Sequence, residues 1–344
     1  MFQKFVLLLI FRHNNCKYRI GPRGDNLNTT NQNMNVTKEY IDTAGHKSGM
    51  FIESTNLNNP VLLFVHGGPG FPQYAHVKAS GLAWANHFTV CYWEQRGTGM
   101  SYNASTQGEI TLERIVADGL EVVNHLKQKY NQEKIYLCGH SWGSLVSSIM
   151  ASRQPEHFLA YIGIGQLGRH YESNRDTYDF LLETAIERGD EKAEKHIRSV
   201  KFNKGFYKSQ EYRKLLGRYL NKYGGGTKRE GDSSWEGMKD IIECKHYTWK
   251  ERLNILKGIF SSYQALGESL ANTDATVMAP RFEIPVFIVH GVYDYQTSYK
   301  EAKRFYESID ATSKQMYTFE HSAHSPFVEE QERFMEVLVE DVVG

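Results

Sequence analysis

Six short apolar runs constrain this chain more than any other feature: VLLFVH (61–66), FTVCYW (88–93), KIYLCG (134–139), AYIGIG (160–165), PVFIVHG (285–291) and QMYTFE (315–320). Runs that are apolar on both faces suit a parallel sheet covered by helices on each side, not a sheet with one wet face. The segments between them carry helical patterns. Leu112 to Tyr130 follows a Thr111 N-cap, and Trp142 to Ser152 follows a glycine-flanked serine. Together they predict a doubly wound, mostly parallel α/β sheet. Ahead of it, VTKEYIDTAGHKSGMFIEST reads as two strands around the turn AGHKSG.

Between about Gly165 and Pro280 the strand signal stops, and charged, aromatic, helix-forming sequence such as RDTYDFLLETAIERGDEKAEKHIRS takes over. A tract of this kind inserted between two strands predicts a helical cap over the sheet's C-terminal edge. The expected organisation is a weakly structured tail or anchor at 1–36, a core at 37–164 and 281–344, and a cap at 165–280. KYGGGTKREGDSS (222–234) is expected to be a flexible loop, with Gly224 to Gly226 free to hinge.

Lys plus Arg and Asp plus Glu both number 40, so no global field exists to hold nucleic acid. A small-molecule or short-peptide partner fits better, and oligomeric state is left open. Cys16, Cys91, Cys138 and Cys244 show no metal-ligand spacing, and Cys91 and Cys138 sit in runs that read as buried strands. The apolar run Phe5 to Phe11 is far shorter than the roughly 20 residues of a membrane span. A cytoplasmic protein is expected, with a membrane-associated or exported form as the alternative.

The chemistry gathers just after the C-terminal ends of the predicted strands, where open α/β sheets place their ligands. In LCGHSWGS (137–144), Ser141 lies between a strand and a helix, flanked by Gly139 and Gly143, in the setting of a nucleophile elbow. FVHGGPG (64–70) offers unobstructed amides, so the oxyanion donors are assigned to the N–H of Gly68, with Gly67 as alternative, and to that of Trp142. His324 in EHSAHSPFVEE is the candidate base and His321 the runner-up. Asp294 in VHGVYDYQTS is the candidate for orienting the imidazole. His66, His140 and His290 read as packing or hydrogen-bonding residues.

HGGPG, WEQRGTGMS, GHSWGS, GVYDYQTS and HSAHSPFVEE together resemble the prolyl iminopeptidase family of serine peptidases, within the α/β hydrolases. The resemblance covers about 40–165 and 281–344 and is weak in the helical tract. It departs at Glu94, where the family usually has Asp, and at His140, where the family often has a second Gly. Glu94 is expected to hold its loop through Arg96. The resemblance implies a serine hydrolase with a Ser141, His324 and Asp294 triad, without metal or other cofactor. The expected activity is release of an N-terminal residue from short peptides. A capped esterase or amidase is the alternative, and a non-catalytic ligand-binding member of the fold is a remote one. It also implies a cap acid that holds the substrate amine. Glu236 is the first candidate, ahead of Glu172, Asp176, Asp179, Glu183, Asp240 and Glu243.

Overall fold

Asn35–Thr43 (β1) and His46–Ser54 (β2) pair through a two-residue turn in which Ala44 and Gly45 take φ of 50° and 76°. Positive φ at both central residues matches the right-handed twist of a tight hairpin. The turn is shorter than AGHKSG suggests, because His46 and Ser48 belong to β2. His46 Nε2 bonds the Ser101 carbonyl at 2.8 Å, and Ser48 Oγ accepts from Trp93 Nε1 at 2.8 Å. Both polar side chains are thereby satisfied while buried. Asn35 and Val36, assigned to the tail, belong to β1 and pair with Ser54 and Glu53 of β2.

The computed structural model describes residues 34–230 and 236–344. The tail expected at 1–33, with its apolar run, lies outside the described residues. Val61–Val65 (β3), Thr89–Glu94 (β4), Ile135–His140 (β5), Phe158–Ile164 (β6), Val286–Gly291 (β7) and Lys314–Phe319 (β8) complete an eight-stranded sheet. Its order is β1-β2-β4-β3-β5-β6-β7-β8. β1 and β2, and β2 and β4, are antiparallel, and every later pairing is parallel. Period-two alternation divides the core: Val61, Leu63 and Val65 enter one apolar cluster, and Leu62 and Phe64 enter the other.

Helices cover both faces. Tyr74–Ser80 (α1) packs on one, while Leu112–Tyr130 (α2) and Trp142–Arg153 (α3) pack on the other. Thr111 caps α2, its side chain accepting from the Arg114 N–H at 3.1 Å. α3 is buried from Trp142 through Ala151, as a helix against a central strand must be. Between β6 and β7 run His170–Glu187 (α4), Glu191–Ser199 (α5), Gln210–Tyr219 (α6), Glu236–Glu243 (α7), Trp249–Ala271 (α8) and Ala275–Met278 (α9). This tract has its own apolar cluster, including Leu181, Ile197, Phe206, Tyr212 and Leu215. Tyr299–Ser308 (α10), Pro326–Glu329 (α11) and Gln331–Glu336 (α12) complete the helices before a final π-helical turn. Among the described residues, no helix is long and apolar enough to cross a membrane.

Two expectations are corrected here. Gly224 to Gly226 do not form a loose hinge. A Cβ on Gly225 would lie 2.7 Å from the Phe180 ring, and the Gly226 carbonyl accepts from His324 N at 3.2 Å. Arg96 does not pair with Glu94. Its guanidinium grips Asp118 of α2 in two bonds of 2.6 and 2.8 Å and also donates to the Thr43 carbonyl. The Glu94 carboxylate turns instead to Met100 N and the Tyr247 hydroxyl, with Gly99 packed so tightly that a Cβ would meet Glu94 Oε2.

Both arrangements have measurable consequences. Asp118→Ala leaves a buried guanidinium without its counter-charge and should cost about 3–5 kcal/mol in urea unfolding; a loss below about 1 kcal/mol would remove this pair as an anchor. Burial raises the Glu94 carboxyl from 4.5 to about 7, against opposing hydrogen bonds from Tyr247 and Met100. A raised folded value gives stability that is complete below pH 4.5 and lost as pH rises through 7. Wild type should therefore fall below Glu94→Gln by on the order of 3 kcal/mol between those limits. Parallel pH–stability curves for the two proteins would refute this.

Candidate active site

Ser141 joins β5 to α3 with φ 57° and ψ −123°, a conformation L side chains rarely adopt. The turn is possible because the residues two before and two after it, Gly139 and Gly143, have no side chain. A Cβ on Gly143 would lie 2.0 Å from the Val65 carbonyl oxygen, and one on Gly139 would lie 2.4 Å from the Gly143 oxygen. The serine's own N–H is tied to the Ile164 carbonyl at 2.9 Å. Ser141 is thus fixed at the edge of the central strands, with its side chain outside both.

Asp294 follows β7 and His324 follows β8, and the two meet. His324 Nδ1 is 2.7 Å from Asp294 Oδ2, with both side chains buried. Asp294 Oδ1 accepts from the amides of Gln296 and Thr297 at 2.8 and 3.0 Å, and Oδ2 accepts from Thr297 Oγ1 at 2.9 Å. Burial alone would raise the Asp294 carboxyl. The adjacent His324 imidazole and hydrogen bonds from His290 and His324 outweigh it and hold the group far below the usual carboxylate range. An ionised Asp294 keeps the His324 proton on Nδ1 and leaves Nε2 with its lone pair. His321, the runner-up, is exposed, and its amide bonds Glu330.

His66, His140 and His290 are buried, and each has hydrogen-bond partners at both ring nitrogens. His66 accepts from Gln95 N through Nε2 and bonds the Gly67 carbonyl through Nδ1, and burial lowers it to about 4. His290 accepts from Gln166 N through Nδ1, and its Nε2 faces the Thr297 carbonyl at 2.8 Å. His140 lies between Gln73 and the His324 carbonyl. Burial, then the nearby His324, push it well below its ordinary value.

On the β3 side, a Cβ on Gly67 would sit 3.5 Å from Ser141 Oγ, so this loop borders the serine directly. Gly68 takes φ 117° before a cis Gly68–Pro69 bond. The Gly67 N–H is already given to Gln73 Oε1 at 3.1 Å. Among the described residues, neither the Gly68 nor the Trp142 N–H donates to a protein acceptor.

Ser141, His324, Gly67 and Gly68 line a cavity of about 290 Å³, closed from the other side by residues of the helical tract such as Asn221, Thr227 and Met238. Among the described residues no Asp or Glu lines it. The Glu236 carboxylate is engaged by Lys228 at 3.1 Å, Glu172 by Arg175, and Asp176 by Ser298 and Lys300. Asp240 reaches the wall indirectly, through a 2.8 Å bond to His76 Nδ1. Asp179, Glu183 and Glu243 stay away from it. Among the described residues no group of His, Cys, Asp and Glu is arranged to hold a metal ion.

Three participants carried no readable signal in the sequence. Gly165, at φ 54°, passes under the histidine: a Cβ there would lie 3.0 Å from His324 Cε1 and 3.4 Å from Asp294 Oδ2. Gln73 acts through partners distant in sequence, and Thr297 through Asp294, three residues before it, and the distant Gly165 carbonyl. The GIG and DYQTS motifs show where Gly165 and Thr297 sit, but not what they touch.

The comparisons agree with this architecture. A family model described as alpha/beta hydrolase fold matches residues 60–331. The probable aminopeptidase YbaC of Bacillus subtilis (strain 168) is 27% identical over 305 residues, spanning 88% of this chain and 95% of that protein. A proline iminopeptidase of Clostridioides difficile (strain 630) is 25% identical, spanning 89% and 98%. Among solved structures, proline iminopeptidase from Mycobacterium smegmatis superposes with a TM-score of 0.64 at 15% identity, over 89% of this chain and 98% of that one. A 2-hydroxy-6-oxo-6-phenylhexa-2,4-dienoate hydrolase from Rhodococcus gives 0.59 at 17%, over 90% and 100%. With the sheet order, the strained serine turn and a family match running from β3 to α12, the chain belongs to the alpha/beta hydrolase fold family and is similar to proline iminopeptidases.

Proposed function

We propose that this hydrolase works through Ser141, His324 and Asp294 and releases the N-terminal residue of short peptides. The observation that carries the proposal is that His324, paired with the buried Asp294 at 2.7 Å, lines the same cavity as the strained Ser141. His324 Nε2 takes the Ser141 proton as Oγ attacks the substrate carbonyl. Asp294 keeps the imidazole in the tautomer that can do so and stabilises its charged form. The N–H groups of Gly68 and Trp142 receive the developing oxyanion, the latter from the start of α3. His324 then protonates the leaving amine, and water attacking the acyl group through the same histidine restores the serine.

The relatives named aminopeptidase and proline iminopeptidase support the peptide substrate. Glu236 as amine-holding acid would first have to leave Lys228. The better supported acid is Asp240, whose charge stands behind His76 at the cavity wall. A second reading, an esterase or amidase for small acyl compounds, is favoured by the uncharged lining of the described cavity.

Ser141→Ala should lower kcat/KM by about 10⁴-fold or more and abolish fluorophosphonate labelling. Labelling of that variant at the wild-type level would show that the nucleophile is elsewhere. Aminoacyl arylamides compared with their N-acetylated forms separate the two substrate classes. The exopeptidase should lose at least about 10²-fold in kcat/KM when the amine is blocked; equal turnover of both forms would favour the esterase.

A further inference from the structure

We propose that His140 is a positioning residue for the base: through Gln73 it ties the main chain of His324 to the loop that carries Gly67 and Gly68. This rests on reading Ser141 and His324 as nucleophile and base, and it is independent of the substrate. Three hydrogen bonds form the link. The Gly67 N–H donates to Gln73 Oε1 at 3.1 Å, Gln73 Nε2 donates to His140 Nδ1 at 2.5 Å, and His140 Nε2 donates to the His324 carbonyl at 2.8 Å.

The direction of this relay is forced from both ends. A backbone N–H can only donate, so the Gln73 oxygen must face Gly67 and the amide nitrogen must face His140. Nδ1 of His140 is then the acceptor, its proton sits on Nε2, and Nε2 meets a carbonyl, which can only accept. Only a neutral His140 satisfies every contact. A proton on Nδ1 would oppose the Gln73 NH₂, and burial of the ring works against that proton. Phe327 packs edge-on against the imidazole at 5.1 Å, which fixes its plane.

The His324 peptide is consequently gripped on both sides, its carbonyl by His140 and its N–H by the Gly226 carbonyl at 3.2 Å. Asp294 orients the ring and the two main-chain bonds locate it. Catalytic geometry tolerates displacements of only about 0.5 Å, so a base on a loop after an edge strand needs such an external support. The relay also makes the positions of base and oxyanion loop interdependent.

The test measures the rate of fluorophosphonate labelling of Ser141, with kcat and KM on an activated ester, for wild type, His140→Phe, His140→Gln, Gln73→Leu and the double variant Gln73→Leu/His140→Phe. His140→Phe keeps an aromatic ring beside Phe327 but removes both bonds. Its labelling rate and kcat should fall about 10-fold or more while KM changes by less than about 3-fold. His140→Gln, which can still accept at one end and donate at the other, should recover most of the loss. The double variant should be no worse than the more impaired single variant, as expected for members of one network. Wild-type labelling by His140→Phe, or single losses that multiply in the double variant, would overturn the proposal. If His140→Phe does not fold, Gln73→Leu decides by the same readouts. A wild-type protein that reacts with neither probe would overturn the assignment of Ser141 and this proposal with it.

Discussion

The start of α3 presses on the end of β3 so closely that the Val65 carbonyl leaves no room for a Cβ at residue 143. From that contact the rest of the site follows. A helix this close to the sheet must begin with a sharp reversal after β5, and the reversal forces a non-glycine residue, Ser141, into positive φ. The same closeness brings the loop after β3 beside Ser141, with Gly67 within van der Waals reach of its side chain. The strain at Ser141 is compensated by a helix buried along nearly its whole length and by strands buried on both faces.

The polar groups around the turn are organised by direction more than by charge. His66, His140 and His290 each accept a hydrogen bond at one ring nitrogen and face a carbonyl oxygen with the other, so each ring has its orientation set by its partners. Asp294 is different. Two backbone amides, a threonine hydroxyl and two imidazoles converge on it, making it the most strongly stabilised anion of the site. One fixed negative charge among these rings leaves His324 as the imidazole beside that charge whose other nitrogen is not committed to a protein partner among the described residues.

The parts of this structure legible in the sequence are those that depend on local pattern. Strands buried on both faces are apolar throughout, so β3, β4 and β5 stand out, and the Thr111 cap and the glycines around Ser141 report local backbone geometry. Strand β6 begins two residues earlier than AYIGIG suggests, at Phe158, with Leu159 exposed. The misread features all depend on partners far along the chain. His46 and Ser48 resemble turn residues until Ser101 and Trp93 are placed beside them. Glu94 and Arg96 are neighbours in sequence, yet Arg96 binds Asp118 on another element. The Gln73, His140 and His324 link joins two loops to the end of β5, and no short motif encodes it.

Substrate selection presents a related problem of charge placement. The helical tract is rich in acids, but in the folded chain many are paired with bases on the same helix or on nearby turns and loops: Glu172 with Arg175, Glu194 with Arg198, Glu236 with Lys228, and Asp190 with Lys222. A carboxylate bordering a small cavity without a partner would carry a large desolvation cost. Placing Asp240 one hydrogen bond behind His76 lowers that cost, since the imidazole satisfies the carboxylate while passing part of its field to the cavity wall. An ammonium group in the cavity would then meet an imidazole backed by an anion, a weaker attraction than a bare carboxylate offers. The same wall admits a neutral acyl group without leaving a charge unpaired. A cavity built this way would distinguish substrates by modest differences in binding, and under the proposed mechanism Ser141, His324 and Asp294 would supply the chemistry common to both.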